Sequence, residues 1–404
     1  MRTPAALRVL NNRKGVGLVM AIAVVVLISY IAMEVSYDSL VEYNVNANAL
    51  NRLKAYYAAR AGVDLSLLRI KIFQQASGQF GKQMGGASEM LDEIWKFPFA
   101  WPVPIPPELS SVDKDAINET LKDSVMDASY SVTIEDEGSK IDLGDLNSPS
   151  KALQEAAHRR LKQIFDGRLQ SDPEFQKKYA NYRFDELINA IADWQTNKRD
   201  SLNGGDKRTF YSDYPQDFPP NRGFRTIQEV RLVPGMTEDF YELIEPAITI
   251  YGMKAINPNQ TTKDVLKSID AGITDEIADA IIKRRDDPNL GGSFKSKDDF
   301  WGFVKSKNAR LGDKAEDTPL IFDKVWSFRI KSIGEYAKAS RQIEVVVMDL
   351  QSIASTIKSY TDKEKQQTQA PGPQPTPVQT NNQAQSQTAP LPKGPPRIVY
   401  WSEQ

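Results

Sequence analysis

Cysteine is absent from the 404 residues, and histidine occurs once, as His158. The first absence excludes disulfides, thiolate metal sites and cysteine nucleophiles together, while leaving the compartment open. The second leaves no histidine-containing triad with a convincing base and no zinc motif. His158 stands in a helical run beside Arg159 and Arg160, the setting of a surface histidine. No nucleotide-binding glycine loop is present, and the plentiful carboxylates recur at no spacing diagnostic of an acid–base pair. Net charge is also small: 51 lysines and arginines stand against 53 aspartates and glutamates, a balance of −2, with a pI near 5.8. Nothing global therefore attracts nucleic acid, and an enzyme is the weakest class.

One uncharged, proline-free stretch stands out, from Val16 to Met33. At about 1.5 Å per residue it spans roughly 27 Å, close to the hydrocarbon core of a bilayer. Arg2, Arg8, Arg13 and Lys14 precede it with no acid among them, which keeps the N-terminus cytoplasmic and sends the rest of the chain outward. A removable signal peptide would place a small-residue site after the run, and no Ala-x-Ala flanks Met33. Small residues lie before the run instead, at Gly15 and Gly17.

A short basic leader ending in Lys14-Gly15 directly before an apolar helix resembles type IV pilins and type II secretion pseudopilins. The resemblance implies that a prepilin peptidase cuts between Gly15 and Val16, leaving the apolar helix in the mature protein. Most members carry glutamate at the fifth mature residue, where this chain has Met20. That departure resembles the K-type minor pseudopilin, which lacks the glutamate and is placed at the pseudopilus tip.

Past the membrane the helix continues without proline to Ile70. Val41, Val45, Ala49, Leu53, Tyr57, Ala61, Leu65 and Leu68 recur at spacings of three and four and mark one apolar face that needs a partner. No clean heptad persists, so packing on a sheet of the same chain is expected. The resemblance further implies that Val41, Val45, Ala49 and Leu53 meet other pseudopilins. Residues 76–112 read as irregular, with Gly78, Gly81, Gly85 and Gly86 before a proline-dense run from Phe97 to Pro107 that crosses the surface extended. Tyr130 to Ile134 alternates as a strand. The acidic turn from Glu135 and a second strand at Ile141-Asp142-Leu143 resemble the K-type pattern at this point.

From about Ser150 the period turns helical, with runs at 151–169, 183–194, 237–245, 262–269, 275–285 and 297–304, most of them preceded by a capping Ser, Thr or Asp. Strand character returns at 325–331 and 341–348. The expected fold is α+β: a transmembrane and spine helix packed on a small antiparallel sheet, pilin-like, interrupted by a large all-helical domain containing helix-hairpin-helix-like units. The boundaries follow as a leader at 1–15, a transmembrane helix at 16–33 and pilin-like parts at 34–149 and 323–360. The helical insert takes 150–322, and a Pro/Gln-rich tail at 361–404 is too polar to order. The tail ends in Arg397-Ile398-Val399-Tyr400-Trp401, an apolar patch that either docks on the protein or a partner or is simply exposed.

Two features of the insert open other functions. Leu232 to Thr237 and Ile269 to Thr274 look like helix-hairpin-helix units, whose backbone N–H groups can meet a phosphate. Acids oppose that use, at Glu238, Asp239, Glu242 and Glu245 in the first and at Asp270 and Asp275 in the second, while Lys283, Arg284 and Arg285 form a basic cluster. The second feature is a polar loop. K-type members are similar to one another around an Asp-Trp followed by further acids, and calcium is associated with that loop. Here Asp193, Asp200 and Asp206 offer oxygens for such an ion, with Lys198, Arg199 and Lys207 working against it.

The function expected from this resemblance is that of a non-enzymatic minor pseudopilin, single-pass in the bacterial inner membrane with its bulk in the periplasm. It caps the pseudopilus, and nucleates its assembly for export across the outer membrane. Its partners would be other minor pseudopilins, the major pseudopilin and the prepilin peptidase, with no nucleic acid. The alternative is a DNA-handling pilus-tip protein that uses the two hairpins.

Overall fold

The computed structural model describes residues 13–80, 94–103, 126–215, 217–322, 324–368 and 396–404, together with residues 115, 119 and 124. The leader up to residue 12, Gly81, Gly85, Gly86, the prolines Pro104, Pro106 and Pro107, and the tail from 369 to 395 lie outside the described residues. The chain opens in one helix, α1 (Arg13–Phe80), 68 residues long. Proline-free sequence lets its i to i−4 ladder run unbroken, so it reaches about 100 Å at 1.5 Å per residue. Its N-terminal part is the one helix among the described residues long and apolar enough to cross a membrane.

β1 (Phe99–Trp101), β2 (Ser129–Asp136) and β3 (Ile141–Asp142) follow. The excursion from the sheet is helical: α2 (Lys151–Ser171), α3 (Pro173–Tyr179), α4 (Phe184–Gln195) and α5 (Glu238–Ile244), then, after β4 (Ile248–Thr249), α6 (Lys263–Lys267), α7 (Asp275–Asp286) and α8 (Lys297–Ser306). The chain then returns as β5 (Ser327–Tyr336) and β6 (Ala339–Met348), and ends in α9 (Leu350–Thr368) and β7 (Arg397–Glu403). The main sheet has the order β1-β2-β5-β6-β7, with every neighbour antiparallel. Asp136 pairs with Phe328, and the Glu137 N–H donates to the Ser327 carbonyl at 3.1 Å. The helical insert thus leaves and re-enters the sheet at one point. This is the α+β pseudopilin-like fold that the sequence leads one to expect.

The face of α1 that meets the sheet corrects the sequence reading. Ala55, Ala58, Ala59, Val63, Ile70 and Phe73 are buried, packed on Tyr130, Val132, Ile134, Phe328, Ile330, Ile343, Val345 and Val347. The larger residues of the expected stripe, Val41, Val45, Leu53, Tyr57 and Leu68, stay 44 to 61% exposed. Small residues win the contact because they allow backbones to touch. A Cβ added at Gly334 of β5 would overlap the Ala55 carbonyl and the Ala59 nitrogen, and one at Gly62 would overlap the Ser332 hydroxyl. The Ser332 Oγ donates to the Ala59 carbonyl at 2.7 Å across the same seam.

Three further differences concern polar or short segments. The strand at Ile141–Asp142 does not join the main sheet but pairs in parallel with β4 inside the insert. Residues 350–368, expected as the last strand region and the start of the tail, form α9. Asp349 caps it through the Ser352 N–H at 3.1 Å, and Ile353 and Ile357 bury its apolar side near Met253, Val346 and Met348. Its polar end is held by Glu364, which accepts from the Ser150 Oγ at 2.6 Å and the Ala152 N–H at 2.9 Å, an anion seated on the N-terminus of α2. The apolar C-terminal patch becomes β7, with Trp401 opposite Val345 and Tyr400 opposite Val346.

The seam yields a direct test. Gly334→Ala should destabilise the protein by about 1–3 kcal/mol through overpacking, read by chemical denaturation. Gly167→Ala, mid-helix in α2 with no atom within 4 Å of the new methyl, should instead stabilise by up to about 1 kcal/mol.

Candidate assembly surface

Gly15 and Val16 lie in the first turns of α1, where a Cβ at Gly15 would meet no atom within 4 Å. Met20 is 66% exposed on the same membrane-length segment. Every residue from 15 to 46 is exposed, so Val41 and Val45 stand on a bare helix. Ala49 and Leu53 continue that surface, exposed beside the start of the sheet contact. The arrangement is one rod, apolar over the membrane-length run and mixed with Glu34, Asp38 and Glu42 beyond it, anchored by its C-terminal half and exposed along the rest. Chemically it can pack against helices of its own kind or against lipid.

One buried ionic group fixes the insert to this rod-and-sheet unit, and a second holds the adjoining turn of the insert itself. Glu137, fully buried, accepts from Arg329 at 2.6 and 2.7 Å and from the Thr249 hydroxyl at 2.6 Å. Arg329 also pairs with Glu344. Burial pushes Glu137 up, yet Arg329, Lys140 and Thr249 outweigh it and hold the carboxyl below its ordinary value. In the second group the Lys254 ammonium lies 2.5 Å from Asp142 and 2.9 Å from Asp145. Burial and the neighbouring Asp142 push Asp145 up to about 7, against Lys254 and Arg160. One ammonium thus serves two buried carboxyls.

The hairpins are occupied by structure. Thr237 caps α5 through the Phe240 N–H and Thr274 caps α7 through the Ile277 N–H, with Glu238 and Asp239, and Asp275 and Glu276, in the first turns. Gly235 takes φ +84° at the first turn, which glycine alone adopts freely. Of the basic cluster, Arg284 pairs with Asp299 at 2.6 Å and stacks over Phe294 at 4.3 Å. Arg285 donates to the carbonyls of Pro258 and Thr261 at 2.9 and 2.7 Å. Only Lys283 remains exposed on the helix. His158 is half-buried with Asp185 at 3.7 Å; burial lowers it, Asp185 opposing.

In the loop that offers oxygens for calcium, the three aspartates do not group together. Among the described residues no three acidic or histidine side chains group as metal ligands. Asp193, at the end of α4, spends its carboxylate on the Ser201 hydroxyl at 2.6 Å and the Leu202 N–H at 3.0 Å. Asp206 pairs with Arg199 at 2.8 Å, and Asp200 is exposed. The residue that sequence reasoning set aside as merely unfavourable is Lys207, which is 5% exposed and is pulled down by burial, with Asp193 opposing. Nothing local marks it in the sequence: it opens the 3₁₀ turn Lys207–Tyr211, is followed at once by Arg208, and shares its burial in that turn only with Tyr211.

A long spine helix on an antiparallel sheet, with a helical insert between two of its strands, is the architecture that the sequence's resemblance to pseudopilins implies. Residues 139–253, the first part of that insert, match the family model described as type II secretion system protein K. A chain of the crystal structure of the GspK-GspI-GspJ complex from enterotoxigenic Escherichia coli is similar in fold, at a TM-score of 0.50 and 14% identity, covering 75% of this chain and 94% of that one. No curated protein matches the chain. Residues 139–253 are thus similar to type II secretion system protein K, and the chain that carries them shares the fold of a chain of that complex.

Lys254→Met should cost about 3–5 kcal/mol by leaving buried carboxyls uncompensated. Burial already pushes the Asp145 carboxyl up to about 7 and the variant removes the ammonium that opposes that rise, so the folded state keeps a proton that the unfolded state releases, and stability falls as pH rises. The loss should therefore be larger at pH 8 than at pH 5 in urea titrations. Arg285→Ala should destabilise by about 1–3 kcal/mol by orphaning two carbonyls. Neither it nor the parent should show salt-sensitive binding of duplex DNA by fluorescence anisotropy.

Proposed function

We propose that this chain is a non-enzymatic minor pseudopilin of the K type that sits at the tip of the pseudopilus and nucleates assembly with other minor pseudopilins. The observation that carries the reading is the long bare face of α1 beside a sheet-anchored half: a filament of such subunits is built by packing these rods. The K-like fold was solved in a complex with two further components, GspI and GspJ, and partners of that kind suit the face of Val41, Val45, Ala49 and Leu53. The prepilin peptidase cuts after Gly15, the mature helix stays in the inner membrane, and the bulk lies in the periplasm.

Met20 supports the tip position. In pilin-like filaments a glutamate five residues into the mature chain neutralises the N-terminal amine of a neighbouring subunit, and an unpaired charge in a bilayer is costly. A subunit with none above it has no amine to pair. The insert, some 190 residues between Asp136 and Ser327, likewise needs no room beneath a neighbour. Against the DNA-handling alternative stands the internal pairing of Arg284 and Arg285, two of the three cations beside the second hairpin.

Mature protein recovered from membranes should begin at Val16 by N-terminal sequencing; a start after residue 30 contradicts the leader. The full-length chain, coexpressed with the minor pseudopilins of its system, should copurify with two of them. Val45→Asp and Leu53→Asp should weaken that association about tenfold or more, because a buried carboxylate costs beyond the 1.4 kcal/mol that a decade represents. Exposed as both positions are, stability of the isolated chain should move by less than about 0.5 kcal/mol.

A further inference from the structure

The loop between α4 and the 3₁₀ turn at Lys207–Tyr211 has the layout of a cation site whose cation is covalently attached. The Lys207 Nζ donates to the Asp193 carbonyl at 3.1 Å, the Thr196 carbonyl at 2.5 Å and the Thr196 Oγ1 at 3.4 Å. These three acceptors match the three N–H donors of an ammonium. Two of them are carbonyls at the C-terminal end of α4, where the helix presents its negative pole and a cation is favoured. Around this centre the loop closes on itself. The Lys207 N–H donates to the Arg199 carbonyl at 3.0 Å and the Ser201 N–H to the Gly205 carbonyl at 2.9 Å. The Asp206 carboxylate takes the Arg199 Nε at 2.8 Å and the Arg208 N–H at 3.0 Å. The Asp193 carboxylate is engaged by Ser201 and Leu202.

A calcium ion needs six to eight oxygens, several of them carboxylate. Here the Asp193 and Asp206 carboxylates are already engaged by an arginine, a hydroxyl and backbone N–H groups, Asp200 is exposed, and the carbonyls converge on an ammonium. The residues therefore do not fit calcium. We infer that the Lys207 ammonium is the permanent internal cation of this loop, doing the work that a bound divalent ion would otherwise do, so that the helical insert folds and holds its loop without calcium. The inference stands apart from the tip reading, since it concerns only what organises residues 193–207.

The test uses the full-length protein in detergent. Thermal unfolding of the parent should be the same, within about 1 °C, in 5 mM calcium and in chelator, because a ligand that binds only the folded state would raise Tm. Lys207→Met should lower Tm by at least about 3 °C in both buffers and speed amide exchange across residues 197–206, because the Thr196 carbonyl loses its ammonium donor and the Asp193 carbonyl keeps only the Thr196 N–H and hydroxyl. Should that variant fail to fold, competitive acetylation of the native parent read by mass spectrometry supplies the second measurement. Lys207 should label far more slowly than the exposed Lys198. A calcium-dependent rise of several degrees in the parent, a Lys207→Met variant with unchanged Tm and loop exchange, or Lys207 labelling as fast as Lys198 would each overturn the inference.

Discussion

Backbone contact between α1 and the sheet, made at Gly62 and Gly334 with Ser332 bridging to the Ala59 carbonyl, is the constraint on which the rest of the architecture depends. It anchors only the C-terminal half of a 68-residue helix. Small side chains at the seam let the helix sit close, and close packing leaves the larger apolar residues of α1 on its other sides. Those residues then have two possible environments, the bilayer for the N-terminal run and another subunit's helix for the stretch between membrane and sheet. The exposed rod is thus a consequence of how the buried half is packed.

A second constraint is electrostatic and sits where the insert meets the sheet. Leaving a two-stranded pairing between Asp136 and Phe328 for almost two hundred residues would permit the insert to swing on its connections. Glu137 removes that freedom by bonding Arg329 of the sheet and Thr249 of the insert at once, and the Asp142, Asp145 and Lys254 group holds the adjoining turn. Ion pairs this deeply buried gain little over apolar packing but are expensive to break singly. They suit a joint whose angle must be fixed more than one that must be strong. Glu364 extends the same logic to α9, which has little apolar surface and is tied to the N-terminus of α2 by charge.

Much of this was legible in the sequence. The uncharged run, the alternation of β2, β5 and β6, and the capped helices of the insert fall within a few residues of their expected places, because each rests on a period or a capping residue that local physics dictates. What was not legible depends on tertiary contact. Apolar periodicity weights large residues, so it selected Val41, Val45, Leu53 and Tyr57 for the sheet where Ala55, Ala59 and Gly62 go instead. The helix α9 has weak periodicity and is ordered by Asp349 and Glu364, whose partners are far away in sequence. Seven residues at the C-terminus carry strand propensity but no sign of which edge they join. In the candidate site, carboxylates were counted as ligands, while the burial and aim of Lys207 could be seen only once the loop was closed.

The central claim is that this rod ends a filament instead of repeating within it. The measurement that tests it most directly is the position and number of copies of the labelled protein on isolated pseudopili, by electron microscopy of an epitope on the helical insert. The account predicts label at one end of each pseudopilus, at a single copy, with the shaft bare. Label distributed along the shaft at many copies would contradict it, and with it the explanation of Met20.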